Sequence, residues 1–483
     1  MWLAANLWRY RMLPSSFGAS SRPGNRYVVE AAQGLGIHSV GARMSLACAC
    51  SFHPGSDALS SRRFKLAWKH GRPNRKGSLV RNRTTRPRIG VLDFTSPGWT
   101  AGSTFTRALT WSLARACETE GMEVVVLSED ESNLAEFKLP VPVVRVPAPL
   151  LAPPASVSRS FVQRLIRRMS GQPDPSSTFN AYLAAREEGI SVLMPPGAVP
   201  DWTVGVKTLG WIPDFQHRHL PHYFTEQERR NRDDMFRRLA ERADIVLLSS
   251  HVAHAHFNEF APEFTAKARV VSFPSLFAFE ATSGDPEATR RKYHLPDKFV
   301  LVANQLWAHK NHEIVVEALR RLRRKGVRIP VVMTGLPIDH RDPANRVLSR
   351  LMQDVATGSV SDQVAMLGEV SREDLVDLMR AAVIILQPSR FEGWSTVAQD
   401  AKALGRPLIC SDLPIHREQV PCAVGYFPCD EPDVLADLMA SHWGALNPGP
   451  DLAREQNALT VERKFAAQHG RQLLKVCREI VPS

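Results

Sequence analysis

From Arg88 onward, short apolar runs alternate with longer amphipathic stretches, and the change of period between them indicates the fold. Arg88-Ile89-Gly90-Val91-Leu92-Asp93-Phe94 reads as a first strand. The turn Pro97-Gly98-Trp99-Thr100-Ala101-Gly102 leads into a helical stretch over 103–118, and Gly121 precedes a strand over 123–127. This is a βαβ unit. Further strands are expected over 191–194, 205–211, 245–249 and 270–273, completing a doubly wound domain over 87–280. Residues 281–297 are polar and Pro-containing, as a hinge would be. A second alternation follows: strands over 299–303, 331–334, 363–367 and 382–386, with helices over 312–325, 344–357 and 372–380 between them. It defines a second domain over 298–463, and a last helical stretch falls in 464–483. The expected fold class is α/β, two Rossmann-like doubly wound domains facing a cleft. Ligands then sit where strand C-termini meet that cleft.

Composition changes this picture only at the N-terminus. The chain has 483 residues with 44% apolar and 23% charged, ordinary values for a globular protein. The net charge of +12 is unevenly placed: residues 1–88 hold 16 Lys or Arg against Glu30 and Asp57, a net of +14, so the rest is at −2. The basicity belongs to residues 1–86, which show no sustained period. They read as a disordered tail, a transit-peptide-like lead, or translation from a start codon placed too far upstream. The remainder gives no case for nucleic-acid binding. No apolar run approaches the roughly 20 residues of a membrane span. Seven cysteines lack metal-ligand spacing, so no metal site is expected from them, and a reduced setting is the simplest reading.

The most informative stretch is Pro388-Ser389-Arg390-Phe391-Glu392-Gly393-Trp394-Ser395-Thr396-Val397-Ala398-Gln399-Asp400-Ala401. Ala382-Val383-Ile384-Ile385-Leu386 before it reads as a buried parallel strand. Val397, Ala398, Ala401 and Leu404 after it recur at helical spacing, and Gly405 closes the helix before Pro407. The motif is a strand, a tight loop and a helix N-terminus. Gly393 allows close approach of a ligand, Ser395 or Thr396 caps the helix, and the free N–H groups there suit a phosphate. Asp400 lies one turn beyond Thr396 on the same helical face. With Glu392 it gives two acceptor-only carboxylates beside an anion site, the chemistry that grips sugar hydroxyls.

That segment resembles the acidic donor-binding motif of family-4 retaining glycosyltransferases, a branch of the group 1 glycosyltransferases with the GT-B fold, and is similar to bacterial mannosyltransferase-like enzymes. The resemblance continues through Ala403-Leu404-Gly405-Arg406-Pro407-Leu408-Ile409-Cys410-Ser411-Asp412 and reaches back to Asn304-Gln305-Leu306-Trp307-Ala308-His309-Lys310-Asn311-His312. It implies a nucleoside diphosphate sugar as donor substrate, no cofactor and no metal. Lys310 would stabilise the leaving diphosphate, Glu392 would contact donor-sugar hydroxyls, and Asp400 would hold the ribose. Gly393, Trp394, Ser395 and Thr396 would complete the donor loop. Gln305 stands where many members have a second cation, with Arg417 as a substitute. In the first domain, Gly102 would approach the donor phosphate. His217, with Asp214 nearby, would take the place of a His that contacts the sugar. The last helix would pack back on the first domain.

Read without the resemblance, Lys310 is a surface lysine before a helix, Glu392 a solvated loop acid, His217 a structural histidine and Gly102 a turn glycine. His251, His254 and His256 read as structural, with an acceptor contact as the alternative. The expected reaction is retaining, metal-independent hexosyl transfer, with mannose as the specific guess, to a glycan or lipid-linked acceptor in polysaccharide or lipopolysaccharide synthesis. The expected setting is the cytoplasm, with at most peripheral contact at the inner face of a membrane. The alternatives are a GT-B epimerase or phosphorylase, and a non-catalytic sugar-nucleotide-binding protein.

Overall fold

The computed structural model describes residues 87–93, 100–129, 140–146, 180–195, 199, 205–279, 284–337, 339, 341–342 and 344–481. The extension over 1–86, residues 94–99 at the end of the expected first strand and the start of its turn, and residues 280–283, of which 281–283 open the expected hinge, lie outside them. Two parallel sheets are present in one compact unit. The first contains β1 (Arg88–Leu92), β2 (Glu123–Ser128), β3 (Val143–Arg145), β4 (Ile190–Met194), β5 (Lys207–Trp211), β6 (Ile245–Leu248) and β7 (Ala268–Val270), in the order β3-β2-β1-β4-β5-β6-β7. The second contains β8 (Val300–Ala303), β9 (Val331–Thr334), β10 (Val364–Gly368), β11 (Ile384–Gln387), β12 (Leu408–Ser411) and β13 (Gly425–Phe427), in the order β10-β9-β8-β11-β12-β13. Both orders reverse beside their first strand, which creates a crevice at the strand C-termini. The central apolar, β-branched strands are buried on both faces, as parallel strands covered by helices must be, while the edge strands β3 and β10 are half-buried.

In the first half, α1 (Thr100–Glu118) packs on one face of the sheet, and the longer helices α2 (Asn180–Glu187), α3 (Glu226–Arg242) and α4 (His251–Phe260) follow, with a single helical turn Gln216–His219 before α3. In the second half α5 (Pro286–Lys292) comes first. α6 (His312–Arg324), α7 (Arg346–Thr357) and α11 (Pro432–Ala445) share one core, while α8 (Arg372–Ala381) and α9 (Thr396–Ala403) pack into the core on the opposite face. A short α10 (Pro414–Gln419) follows β12. The last helix, α12 (Leu452–Arg478), starts beside the second sheet and ends in the first core, where Leu473, Leu474, Val476 and Cys477 are buried against α1. Gly470 is required at that crossing, because a Cβ there would stand 2.2 Å from the Ser112 backbone oxygen. Among the described residues no helix is long and apolar enough to cross a membrane.

The differences from the sequence reading have local causes. β3 and β13, three residues each, are too short to show a period. The expected hinge contains α5, whose N-cap Asp285 accepts from the amides of Glu287 and Ala288. α12 begins at Leu452, well before the apolar stripe does. Its first half buries Glu455 against Arg380, at 3.2 Å, and Glu462 against Ser275 and Gln399. Those polar positions hide the helix from a hydrophobic pattern.

Candidate active site

The two halves meet at the motif loop between β11 and α9. Ser395 is the N-cap of α9, accepting from the Ala398 amide at 3.2 Å. Gln419 of α10 holds the Ser395 backbone from both sides, accepting from its amide at 3.1 Å and donating to its carbonyl at 2.7 Å. The loop is thus fixed by a fully satisfied, buried polar set. Gly393 is the loop's close contact with the facing half. A Cβ there would lie 2.2 Å from the Pro213 oxygen and 2.8 Å from Asp214 Cβ, so its close approach is to the facing half. Ser250 adds a hydrogen bond of 3.2 Å to the Gly393 carbonyl. Trp394 donates from Nε1 to the Phe273 carbonyl at 3.1 Å and packs against the first core, acting as an anchor between halves. Thr396 is the first helical residue, half-buried.

β8 delivers the other main group. After Ala303 the chain passes Asn304 and Gln305 into a single 3-10 turn, Ala308–Lys310, and Asn311 adopts a left-handed conformation (φ 56°) before α6 begins. Gly335, after β9, makes room: a Cβ there would stand 2.3 Å from the Asn304 oxygen. The turn brings Lys310 Nζ to 2.7 Å from Glu392 Oε1, with side chains 16% and 8% exposed. Gln387 donates to the same oxygen at 2.8 Å, and Asn304 donates to Gln387 at 2.9 Å. Burial pushes the Glu392 carboxyl up, but the Lys310 charge and hydrogen bond, helped by Ser389 and His416, outweigh it and hold the pKa below its ordinary value. Glu392 is therefore a buried carboxylate, ionised and paired.

The remaining expected residues divide. Asp214 stands at the cleft against Gly393, with Oδ1 accepting from the Gln216 amide at 2.9 Å. His217 turns away. It is fully buried among Phe215, Phe224 and Phe236 with Nε2 2.9 Å from Asp233, and burial lowers its pKa despite that carboxylate. Asp400 is buried and accepts from Ser275 Oγ at 2.5 Å, beside Glu462 of α12, so this carboxylate faces the crossing between the halves. Gln305 is half-buried, its carbonyl accepting from the Trp307 amide. Gly102 lies buried in the first turn of α1, where Thr106 Oγ1 donates to its carbonyl. Arg417 is committed to Asp412 by two bonds of 2.6 and 2.9 Å and lies over Tyr426. Of the histidine trio, His256 lies tilted against His219 with ring centroids 3.8 Å apart, and both stack on Phe391 of the motif loop.

Two residues at the cleft escaped the sequence reading. Arg341, after β9, has a buried guanidinium that pairs with Asp339, donates to Gln216 of the first half at 2.8 Å and lies 3.3 Å from His309. His416 on α10 is fully buried. Its Nδ1 donates to the Ser411 carbonyl at 2.8 Å, Nε2 has no hydrogen-bond partner among the described residues, and burial lowers the ring's pKa in spite of Glu392. His416 directly precedes Arg417 in a segment already singled out. Nothing local signals Arg341.

Known proteins bear out the motif and the fold. Residues 285–441 match the family described as glycosyl transferases, group 1. Over 133 residues the chain is 26% identical to mannosylfructose-phosphate synthase of Agrobacterium fabrum, covering 27% of this chain and 29% of that protein. Over 132 residues it is 32% identical to D-inositol 3-phosphate glycosyltransferase of Mycolicibacterium smegmatis, with shares of 27% and 29%. The aligned stretch thus spans under a third of either relative. In structure the chain resembles HepE of Anabaena in complex with UDP and glucose, with a TM-score of 0.57 at 14% identity over 82% of this chain and 100% of that one. Sucrose-phosphate synthase from Thermosynechococcus elongatus gives 0.54 at 16% identity, over 82% and 99%. The fold is GT-B.

Proposed function

We propose that this protein is a glycosyltransferase that moves a hexose from a nucleoside diphosphate sugar to a hydroxyl acceptor, with retention at the anomeric carbon. The observation that carries the reading is the buried Lys310–Glu392 pair at the C-terminal ends of β8 and β11, in the GT-B crevice. An ammonium group has three donors; Glu392 takes one, leaving two for the oxygens of a diphosphate. Glu392 has a second oxygen, which accepts hydrogen bonds from sugar hydroxyls. In the step itself, the anomeric carbon–oxygen bond to phosphate breaks and a bond to the acceptor oxygen forms. The acceptor proton passes to the leaving phosphate. Lys310 and the start of α9 stabilise the charge that develops on the diphosphate, the role of fixed donors in such transition states. UDP and glucose in HepE, and mannosyl and inositol phosphate chemistry in the sequence relatives, support a nucleotide-sugar donor. Mannose and a role in polysaccharide synthesis remain the specific reading of the motif.

The test is thermal stabilisation by UDP, GDP and ADP sugars, followed by product analysis with the stabilising donor, since a ligand bound only to the native state raises its melting point. In Glu392→Gln the sugar nucleotide should bind about tenfold more weakly or worse, because bonds to a charged acceptor are worth about 1.5–3 kcal/mol. The free nucleoside diphosphate should bind as in wild type. Equal weakening of both would make Glu392 a loop-shaping residue and remove the central support.

A further inference from the structure

Beside the Lys310–Glu392 pair lie two buried amide side chains with no charge of their own. Gln387 is the last residue of β11 and is fully buried; Asn304, the first residue after β8, is 3% exposed. β8 and β11 are neighbouring strands, so the two side chains meet across their C-terminal ends. Asn304 Nδ2 donates to Gln387 Oε1 at 2.9 Å, and that bond decides which end of the Gln387 amide points where. With its oxygen turned to Asn304, its nitrogen faces the motif loop. There it donates to Glu392 Oε1 at 2.8 Å and to Ser389 Oγ at 3.0 Å, so both of its N–H groups are committed.

The consequence falls on Glu392. Its Oε1 takes Lys310 Nζ at 2.7 Å and Gln387 Nε2 at 2.8 Å, two donors for two lone pairs. Oε1 is therefore filled, and the oxygen left to meet a sugar hydroxyl is Oε2. A lysine alone, on its flexible four-carbon stem, would let the carboxylate swing. Gln387 comes from a strand end, and Asn304 fixes its rotation, so the second anchor is rigid. It is also neutral. A second cation in its place would hold the carboxylate equally well but would add positive charge to a group whose work is to accept charge-assisted hydrogen bonds. The amide orients Glu392 and leaves its charge for the ligand.

We propose that Gln387, oriented by Asn304, is a positioning residue for the transfer: it pins Glu392 Oε1 so that Oε2 is presented to the donor sugar. The inference rests on the transferase reading and deepens it. The test uses the full chain and, among the UDP, GDP and ADP sugars, the one that raises the wild-type melting point most, with turnover read as release of the nucleoside diphosphate. Gln387→Met keeps the length of the side chain and removes both donors. It should lower kcat/KM for the sugar nucleotide by about tenfold, while the free nucleoside diphosphate binds as in wild type. The acid limb of its pH profile should move to higher pH, because Glu392 has lost a bond to its charged form; Lys310, His416 and Cys410, its titratable neighbours, are unaltered. The variant also strands the Asn304 donor and should melt lower. Asn304→Leu added to it makes the pair apolar, so the double variant should regain melting temperature but not turnover. Unchanged turnover in Gln387→Met, an acid limb at the wild-type position, or turnover that returns with stability in the double variant overturns the proposal. A wild type that binds none of the sugar nucleotides overturns the transferase reading instead, so the two failures are distinct.

Discussion

Lys310 and Glu392 act on each other before either acts on a ligand, and this changes what a substitution at Lys310 measures. A sequence view makes Lys310→Ala a loss of turnover with little loss of stability. The structure buries its partner, and stripping one member from a buried pair leaves an uncompensated charge, at a cost of about 3–5 kcal/mol. Lys310→Ala should therefore melt several degrees lower as well as turn over slowly. Adding Glu392→Gln removes the stranded charge, so the double variant should regain most of the melting temperature and none of the turnover. Recovery of turnover as well would assign the missing catalysis to pair breakage and clear Lys310 of a role at the diphosphate. The pH dependence follows the same pair. The Glu392 pKa is lowered in the folded state, so its stabilisation is complete above the ordinary carboxylate value and is lost only as pH falls through the lower folded one.

At the scale of the element, the crossing of α1 and α12 is the most informative contact. His469 is buried there with Nδ1 2.8 Å from Ser112 Oγ, and burial lowers its pKa to about 3. An unfolded histidine titrates at about 6.5, so between those values the unfolded chain holds a proton that the folded chain does not. Stability must fall as pH drops from about 6.5 towards 3. His469→Gln keeps a polar group near Ser112 but cannot titrate, so its melting temperature should change less steeply with pH across that window. An unchanged slope would mean that the ring escapes its burial on protonation. The same crossing explains why the helix was only half legible. Its C-terminal part is apolar, whereas its N-terminal part is held by Arg380–Glu455 and by Glu462, which no hydrophobic period registers.

For the whole molecule, the question is what sets the separation of the two halves. Glu418 of α10 accepts from the first amides of α4, at 2.8 Å from His251 and 3.1 Å from Val252, so a carboxylate of one half caps a helix of the other. Arg341 reaches Gln216, and Phe391 stacks with His219. Gly393 comes up against Pro213, where no Cβ would fit. Gly393→Ala puts a carbon into backbone that cannot yield, so the halves must part there while each keeps its own core. The expected outcome is a larger radius of gyration by small-angle scattering and a donor KM raised by about tenfold or more, with near-normal unfolding. An unchanged radius with an unchanged KM would show that the loop yields locally and that the Gly393 contact does not set the cleft.

Sequence alone determined the two α/β alternations, because parallel strands covered on both faces are short apolar runs and the helices between them are amphipathic. The resemblance of two loops singled out Lys310 and Glu392, and the structure makes β8 and β11 neighbouring strands, so those loops come together at the crevice. Tertiary structure decided where the other polar groups went. Asp400 meets Ser275 and Arg341 meets Gln216, each across 125 residues, at distances fixed by how one half is set against the other. His217 and Asp214 are three residues apart, yet one is buried among aromatic rings and bonded to Asp233 while the other is left at the cleft. A residue's type and spacing restrict which bonds it can make. Which bond forms depends on the surfaces that meet it, and those come from parts of the chain whose periods are independent of each other.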